Sequence, residues 1–384
     1  MAGQGSLTQG DTKIRYGMAS GGQGAFIGDV YGKSVALGGM AELAAGCFSL
    51  SLENTLTTGR DLGIPSDRCY ETFGEMAETE SKRRDKIDFV VIVSPNGASF
   101  DIAAAFLSRG IHVMCDKPIT MEVERARELA DLAKRNNLLC GVTRAHAGYP
   151  AIGQIREMVR GGEIGEIRFV NAEYHQEWTA ALAEKAREAQ ASREAGPDSA
   201  QGIAFHVENI VARTTGLKIK SLCARIDNFS EDRASYDTAS IMLDYEGGAK
   251  GLYWSSQIAS GYSSGLRLRI LGSGGAIQWS QESPDYIEIF KTGKPGEQWS
   301  RNKNGFHPHS RNFARIRRSP SRGHLEAPAN AYKAYMDALA KAKAGHALNE
   351  IGADFPDAEM EVDGVKFINK CIESSENGAA WVHC

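Results

Sequence analysis

The chain has 384 residues, a formal net charge of −4, 42% apolar and 24% charged residues, the profile of an ordinary globular protein long enough for two cores. An acidic balance gives no electrostatic footing on nucleic acid or an anionic lipid surface, and no apolar run approaches the ~18 residues of a membrane helix. The polar start Met1-Ala2-Gly3-Gln4-Gly5-Ser6 lacks the apolar stretch of a secretory signal, and the seven cysteines are scattered with no C-x-x-C pair, so the expectation is a cytoplasmic protein with reduced thiols.

From Ile14 a short strand runs into the cluster Ser20-Gly21-Gly22-Gln23-Gly24-Ala25-Phe26-Ile27-Gly28 and out into a helix. Gly21 and Gly22 permit a tight turn, Gly24 lets backbone N–H groups approach a pyrophosphate, and Gly28 lets the helix pack close to the sheet. The spacing Gly22-x-Gly24-x-x-x-Gly28 is one residue longer than the usual dinucleotide fingerprint, but the strand before it and the βα pattern after it supply the context such a motif requires. Further strands are expected at Ala41 to Cys47, Phe89 to Val93, Val113 to Cys115 and Leu138 to Val142. Helical stretches such as Asp101 to Ser108 and Glu122 to Arg135 separate them, an alternation that implies a doubly wound parallel sheet. The apolar strand at Val113 ends on Asp116-Lys117-Pro118. The proline biases Lys117 toward extended backbone, and strand carboxyl ends face the ligand crevice in such sheets, so the chemistry is expected at Lys117.

At Gly148-Tyr149-Pro150 the pattern changes. A helix from Ala151 to Val159 leads into a strand from Ile167 to Glu173, after which Trp178 to Ala195 is charged, alanine-rich and expected to be helical or mobile. Beyond residue 218, alternating strands are expected at Ile219 to Asp227, Ser240 to Tyr245, Gly248 to Gln257, Leu266 to Leu271, Gly275 to Trp279 and Tyr286 to Lys291, joined by glycine turns. Arg301 to His324 reads as a long loop, and helices close the chain at Pro328 to Ala344 and Asp357 to Ser375. The expected architecture is an α/β chain. A flexible segment occupies 1–12, a Rossmann doubly wound parallel sheet 13–147, and an α+β domain with an open, mostly antiparallel sheet 148–384.

Taken together, the glycine turn, Asp116-Lys117-Pro118 and the change of strand pattern resemble the glucose-fructose oxidoreductase, inositol dehydrogenase and MocA (Gfo/Idh/MocA) family over nearly the whole length. Members usually carry Glu-Lys-Pro at that step. Gly148-Tyr149-Pro150, Trp254-Ser255-Ser256-Gln257 and the tail near Asn330 are similar to one branch of the family. The resemblance implies a nicotinamide-binding domain, a sheet domain that binds substrate and builds a homodimer or homotetramer, and oxidation of a ring hydroxyl of a sugar, glycoside or cyclitol. The chain also departs from the family. Where members commonly read Asp-Ile-Gly-Thr-His, this chain reads Gly202-Ile203-Ala204-Phe205-His206, and Arg144-Ala145-His146 stands where His-Asn-Tyr is common. Ser99 stands where histidine is frequent.

The resemblance makes His206 the expected base for the hydroxyl proton, helped by the positive charge of Lys117, with the two converging over the nicotinamide. Gly202 cannot do the work of the usual aspartate, and Asp198 substitutes only if the chain there is helical. Cofactor contacts are expected at Gly22, Gln23, Gly24, Ala25, Phe26, Ile27, Ser49, Ser51, Ser94, Pro95, Asn96, Asp116 and Lys117. Phe48-Ser49-Leu50-Ser51-Leu52-Glu53 has no basic residue before Arg60, which favours NAD without excluding NADP. His146, Tyr174, His175, Gln176, Trp178 and Asn209 are the expected substrate contacts, since sugars are held by hydrogen bonds and aromatic faces. Arg311, Arg315, Arg317, Arg318 and Arg322 read as a solvated loop or subunit contact, with an anionic substituent as the alternative. Two further functions stay open: an NAD-dependent glycosidase that oxidises C3, eliminates the aglycone, hydrates and re-reduces, and a non-catalytic sugar or nucleotide sensor.

Overall fold

Five parallel strands in the order β2-β1-β3-β4-β5 form the first of two units: β1 is Ile14–Ala19, β2 Ala41–Cys47, β3 Phe89–Ile92, β4 His112–Asp116 and β5 Cys140–Thr143. The computed structural model describes residues 13–23, 25–94, 97–177, 200–229, 236–262, 264–301, 306–311, 323–352 and 354–384, with backbone alone at 26–27, 200–203, 309, 311 and 323–324. Residues up to Ile119, Glu128–Thr143 and Tyr332–Asp357 make up the first unit; Thr120–Arg127, Arg144–Ala331 and Ala358–Cys384 make up the second.

In the first unit β3 and β5 are buried at every position, as a parallel sheet covered on both faces requires. The connecting helices are α1 (Phe26–Ala36), α2 (Leu52–Asp61), α3 (Phe73–Lys82), α4 (Ser99–Leu107) and α5 (Val123–Arg135). Local chemistry sets their starts. Ser51 accepts from the Asn54 N–H at the head of α2, and Thr72 from the Glu75 N–H at the head of α3. Strand order reverses between β1 and β3, so the ligand crevice of such a sheet opens at their carboxyl ends. A segment from far along the chain completes this unit. Tyr335 packs on Phe89 and Phe355, the Tyr332 and Thr143 hydroxyls lie 3.1 Å apart, and the Val142 N–H donates to Pro356 O.

The second unit is a nine-stranded sheet in the order β13-β12-β11-β10-β6-β9-β8-β7-β14. Its strands are β6 (Ile167–His175), β7 (Ile219–Asp227), β8 (Thr238–Tyr245), β9 (Lys250–Ser256), β10 (Gly265–Gly272), β11 (Gly275–Ser280), β12 (Tyr286–Lys291), β13 (Glu297–Ser300) and β14 (Val382–His383). Every neighbouring pair is antiparallel except β6 and β9, which run parallel. Helices α6 (Pro150–Arg160), α7 (Ala200–Thr215) and α9 (Ala358–Glu376) pack on the sheet and on each other. Strand alternation splits the side chains between faces. Val170, Ala172, Tyr174, Ile241, Leu243 and Tyr253 are buried, whereas Met242, Leu252 and Trp254 are exposed on the opposite face beside Arg267 and Arg269.

Several sequence expectations change in detail. The helix α8 runs over Gly323–Lys343, so Pro328 lies inside it rather than at its start. Strands β13 and β14 were not anticipated, and a helical turn at Pro308–Arg311 interrupts the long loop. Expectations for 1–12, for Trp178 to Ala195 and Asp198, and for Arg315, Arg317, Arg318 and Arg322 lie outside the described residues. All seven cysteines are free thiols, and no helix among the described residues is long and apolar enough to cross a membrane.

Candidate active site

In the first unit β1 ends in a turn with little room for side chains at Gly21, Gly22 and Gly28. Ser20 and Gly21 both have positive φ, at 66° and 85°. A Cβ on Gly28 would lie 2.4 Å from the Gly21 Cα and 2.5 Å from its carbonyl oxygen, and one on Gly22 would lie 2.7 Å from Asn54 Oδ1. The head of α1 is thereby seated on the turn. The turn's own amides are largely spoken for: Gly22 N–H donates to Phe48 O, Gln23 N–H to Thr58 Oγ1 and Ala25 N–H to Gly22 O. The first-turn amides of α1, at Phe26 and Ile27, have no partner within a helix. Gly24 lies outside the described residues, as do Pro95 and Asn96; the side chains of Phe26 and Ile27 are not described.

Beyond β2, Ser49 Oγ accepts from the Ser51 N–H and Ser51 Oγ is the cap of α2, so the two serines shape the strand end as well as offering hydroxyls there. Ser94 follows β3 at the other side of the switch point. Asp116 closes β4 with its Oδ1 accepting from Tyr31 Oη at 2.7 Å and from the Lys117 N–H at 2.9 Å. Burial, then the Asp116 charge, hold the Tyr31 phenol protonated. Asp116 thus ties the strand end to α1 and fixes the backbone from which the half-buried Lys117 leaves, ahead of a cis bond to Pro118.

In the second unit three expected residues meet. His146 sits in the turn Ala145–Gly148, Tyr174 near the end of β6 and His206 on α7; the ring centroids of His146 and His206 are 4.7 Å apart, edge to face, and Tyr174 lies 5.3 Å from His146 and 6.0 Å from His206. Tyr174 Oη is 3.3 Å from His146 Nε2 and accepts from Gln176 Nε2 at 2.9 Å. Burial pushes this phenol up to about 12, so it is a protonated donor at neutral pH. The turn that carries His146 is held hard: a Cβ on Gly148 would come within 1.9 Å of Ala327 O, and Asn330 Nδ2 donates to Gly148 O. Asn209 is buried on α7, one turn beyond His206.

His175 does not join this group. Adjacent residues of a strand point to opposite faces, so with Tyr174 turned to the helices His175 lies on the open face, 4.1 Å from Trp254 and 5.3 Å from Tyr262. There burial lowers its pKa, against the pull of Glu173. Trp178 lies outside the described residues.

A second buried group went unnoticed in the sequence. Arg144, only 1% exposed, bonds Glu361 at 2.5 Å and lies over the Phe205 ring at 3.7 Å. Glu208 stands nearby on α7, raised to about 7 by burial, with Arg144 pulling the other way. The available signal was the pair of family departures at 144 and 205.

A parallel sheet with a glycine turn at its switch point, and a strand ending in Asp-Lys-Pro, defines a nicotinamide-dependent oxidoreductase. Residues 14–144 match the oxidoreductase family with an NAD-binding Rossmann fold, and residues 152–278 match the GFO/IDH/MocA C-terminal domain. The uncharacterized oxidoreductase YfiI of Bacillus subtilis is 31% identical over 353 residues, 89% of each chain. Among solved structures, an inositol dehydrogenase homolog from Azotobacter vinelandii, complexed with NADH and myo-inositol, aligns with a TM-score of 0.89 at 31% identity over 97% of this chain and 98% of that one. An oxidoreductase from Sinorhizobium meliloti aligns with a TM-score of 0.87 at 34% identity over 97% and 100%. The chain belongs to the Gfo/Idh/MocA oxidoreductase family.

Proposed function

We propose that the chain is an NAD-dependent dehydrogenase that oxidises a ring hydroxyl, at C3 in a pyranose, of a sugar, glycoside or cyclitol. The observation that carries this is the group formed by His146, Tyr174 and His206: two imidazoles and a phenol held together are suited to take a proton from one hydroxyl and hydrogen-bond its neighbours. The A. vinelandii homolog's myo-inositol supports the ligand class. Bound NAD would supply the hydride acceptor, its phosphates on the glycine turn and the head of α1 and its ribose near Ser49 and Ser51. The glycine contacts at Gly21, Gly22 and Gly28 fit that role, because any side chain would fill the turn. The absence of a basic residue between β2 and Arg60 favours NAD over NADP.

His206 takes the hydroxyl proton, and the Lys117 ammonium favours the alkoxide as charge develops. Gln176 and Asn209 offer amides to neighbouring hydroxyls. The open face of the nine-stranded sheet, with Met242, Leu252 and Trp254 exposed among Arg267 and Arg269, supports a homodimer or homotetramer built through it. One observation favours the net glycosidase as a second reading: His146 sets a second proton carrier beside the first.

The test is a panel of free sugars, cyclitols and aryl glycosides incubated with purified protein and NAD, following NADH absorbance and aglycone release. NADH accumulation supports the dehydrogenase, and aglycone release without net NADH supports the glycosidase. Silence on both, with NAD bound, overturns the enzymatic reading in favour of a sensor.

A further inference from the structure

Arg144 and Phe205 are both buried, and neither belongs to the group proposed to meet substrate; yet Phe205 immediately precedes His206 on α7. The Arg144 guanidinium lies over the face of the Phe205 ring at 3.7 Å and bonds Glu361 of α9 at 2.5 Å. Helix α9 meets the same ring a second time. Gly364, three residues after Glu361, shares its helical face, and a Cβ there would lie 1.9 Å from Phe205 Cε2, 2.7 Å from Cζ and 2.8 Å from Cδ2. The ring is thus seated with a flat cation on its face and bare helix backbone along its Cε2 edge. Helix α9 is itself tied to the sheet: the Ala224 N–H of β7 donates to Ser374 Oγ at 2.8 Å and the Ile226 N–H to Ser375 Oγ at 3.0 Å.

We infer that Arg144 is a positioning residue: held by Glu361, it fixes the Phe205 ring and with it the rotation of α7 at the next residue, His206. Folding stability alone does not call for an ion pair at this depth, because apolar residues of similar volume usually serve as well or better. Arg144 also forgoes hydrogen bonds, since its Nε and Nη1 find no partner among the described residues. What the guanidinium supplies is direction. It is a rigid plane tied to a fixed carboxylate, and it stacks on an aromatic face where an aliphatic chain would only fill space. The bare backbone at Gly364 closes the second direction, so the ring has no slack along its edge.

Successive helix positions are about 100° apart, so Phe205 and His206 leave α7 in different directions and turn together when the helix turns. A shift of the Phe205 ring therefore carries the His206 ring through a comparable arc, away from His146 at 4.7 Å and Tyr174 at 6.0 Å. The inference rests on the dehydrogenase reading for its chemical consequence. There His206 must meet one hydroxyl in a set geometry, and a misplacement of about 1 Å costs on the order of 100-fold in rate.

The test uses full-length protein and three variants: Arg144→Met combined with Glu361→Met, Arg144→Lys, and Gly364→Ala. The double variant removes the stacked cation and its counter-charge together, so its urea unfolding is expected to stay close to wild type. Lysine keeps a charge opposite Glu361 but not the plane. All three are expected to lower kcat about 10- to 100-fold while the substrate KM and the NAD Kd stay within about threefold. Crystal structures of the resting variants should show the His206 ring moved by about 0.5 Å or more relative to His146. A double variant as stable as wild type, with kcat unchanged and His206 in its original place, overturns the inference. Should the double variant not fold, Arg144→Lys decides in the same way. The structures need no substrate, so a displaced His206 ring in a protein silent toward sugars sinks only the dehydrogenase reading. An active dehydrogenase whose His206 stays in place in these variants sinks only the role of Arg144.

Discussion

Replacing Gly28 by alanine tests whether the turn after β1 is shaped for a dinucleotide. The added methyl would meet Gly21 backbone at 2.4 Å from Cα, 2.5 Å from O and 2.8 Å from C, against the 3.5–4.0 Å of a relaxed carbon contact, so about 1 Å of separation must be found. Gly21 cannot easily yield. Its φ is +85°, the Ser20 and Gly22 amides on either side are bonded to Cys47 O and Phe48 O, and Gly22 is itself tight against Asn54. The head of α1 must therefore retreat, carrying its first-turn amides from hydrogen-bonding range of an anion to about 4 Å. Two charge-assisted bonds weakened in this way, less what water returns, come to about 2–3 kcal/mol, a rise in NAD Kd of roughly 30- to 150-fold. Overpacking costs a further ~1–3 kcal/mol of folding stability. Calorimetric titration with NAD and urea unfolding measure the two effects separately. Gly32→Ala is the control on the same helix, because its Cβ meets nothing closer than Met18 Sδ at 3.9 Å; it should bind NAD normally and gain stability. A Gly28→Ala protein with a Kd within threefold of wild type would refute the account of the turn.

Lys117→Ala is expected to abolish turnover, a loss of about 10³-fold or more, while NAD binding by calorimetry stays largely intact; near-normal activity would remove Lys117 from the chemistry. Glu361→Gln leaves Arg144 charged and buried, which should cost about 3–5 kcal/mol in urea unfolding, whereas replacing both partners by methionine should cost much less than either single change. Glu208, with its folded pKa raised to about 7, binds more protons folded than unfolded between about pH 4.5 and 7. Its contribution to stability is therefore complete below pH 4.5 and lost as pH rises through 7, by at most about 3 kcal/mol. Glu208→Gln should flatten that part of the stability profile, and an unchanged slope would show the charge to be solvated.

Much of the fold was legible because periodicity reports burial. Ile219–Asp227 and Tyr286–Lys291 fall where alternation put them, and the all-buried runs at Phe89 and Cys140 mark strands covered on both faces. Pairing was not legible. Alternation tells which face a residue takes but not which strand lies beside it, so the parallel β6–β9 pair inside an otherwise antiparallel sheet left no local mark. Strands β13 and β14 are short and at the sheet edges, too brief for a pattern. Pro328 suggested a helix start, whereas the helix begins at Gly323 and Tyr332, Tyr335 and Leu339 give its later turns a buried face. At the site, the sequence supplied residue types but not their faces. Tyr174 and His175 looked equivalent until alternation in β6 sent them to opposite sides.

The family departures make more sense in pairs than singly. Taken one at a time, Arg144 places a buried cation where relatives have histidine, Phe205 adds bulk in place of threonine, and Gly202 removes an acid. In space Arg144 lies on the Phe205 ring and is neutralised by Glu361, a cation–π and ion-pair arrangement that neither residue would support without the other. His146 likewise stands against His206, four residues after Gly202 on α7. One pair joins the turn Ala145–Gly148 to α7 and the other joins the residue just before that turn to it, and Phe205 and His206 are consecutive on that helix. The stacking of Arg144 therefore holds α7 at the residue next to the proposed base, and the two substitutions that look like losses become one rebuilt contact between the same two elements. A change at Arg144 is expected to reach the chemistry through Phe205, by tilting His206 against His146, as well as through stability.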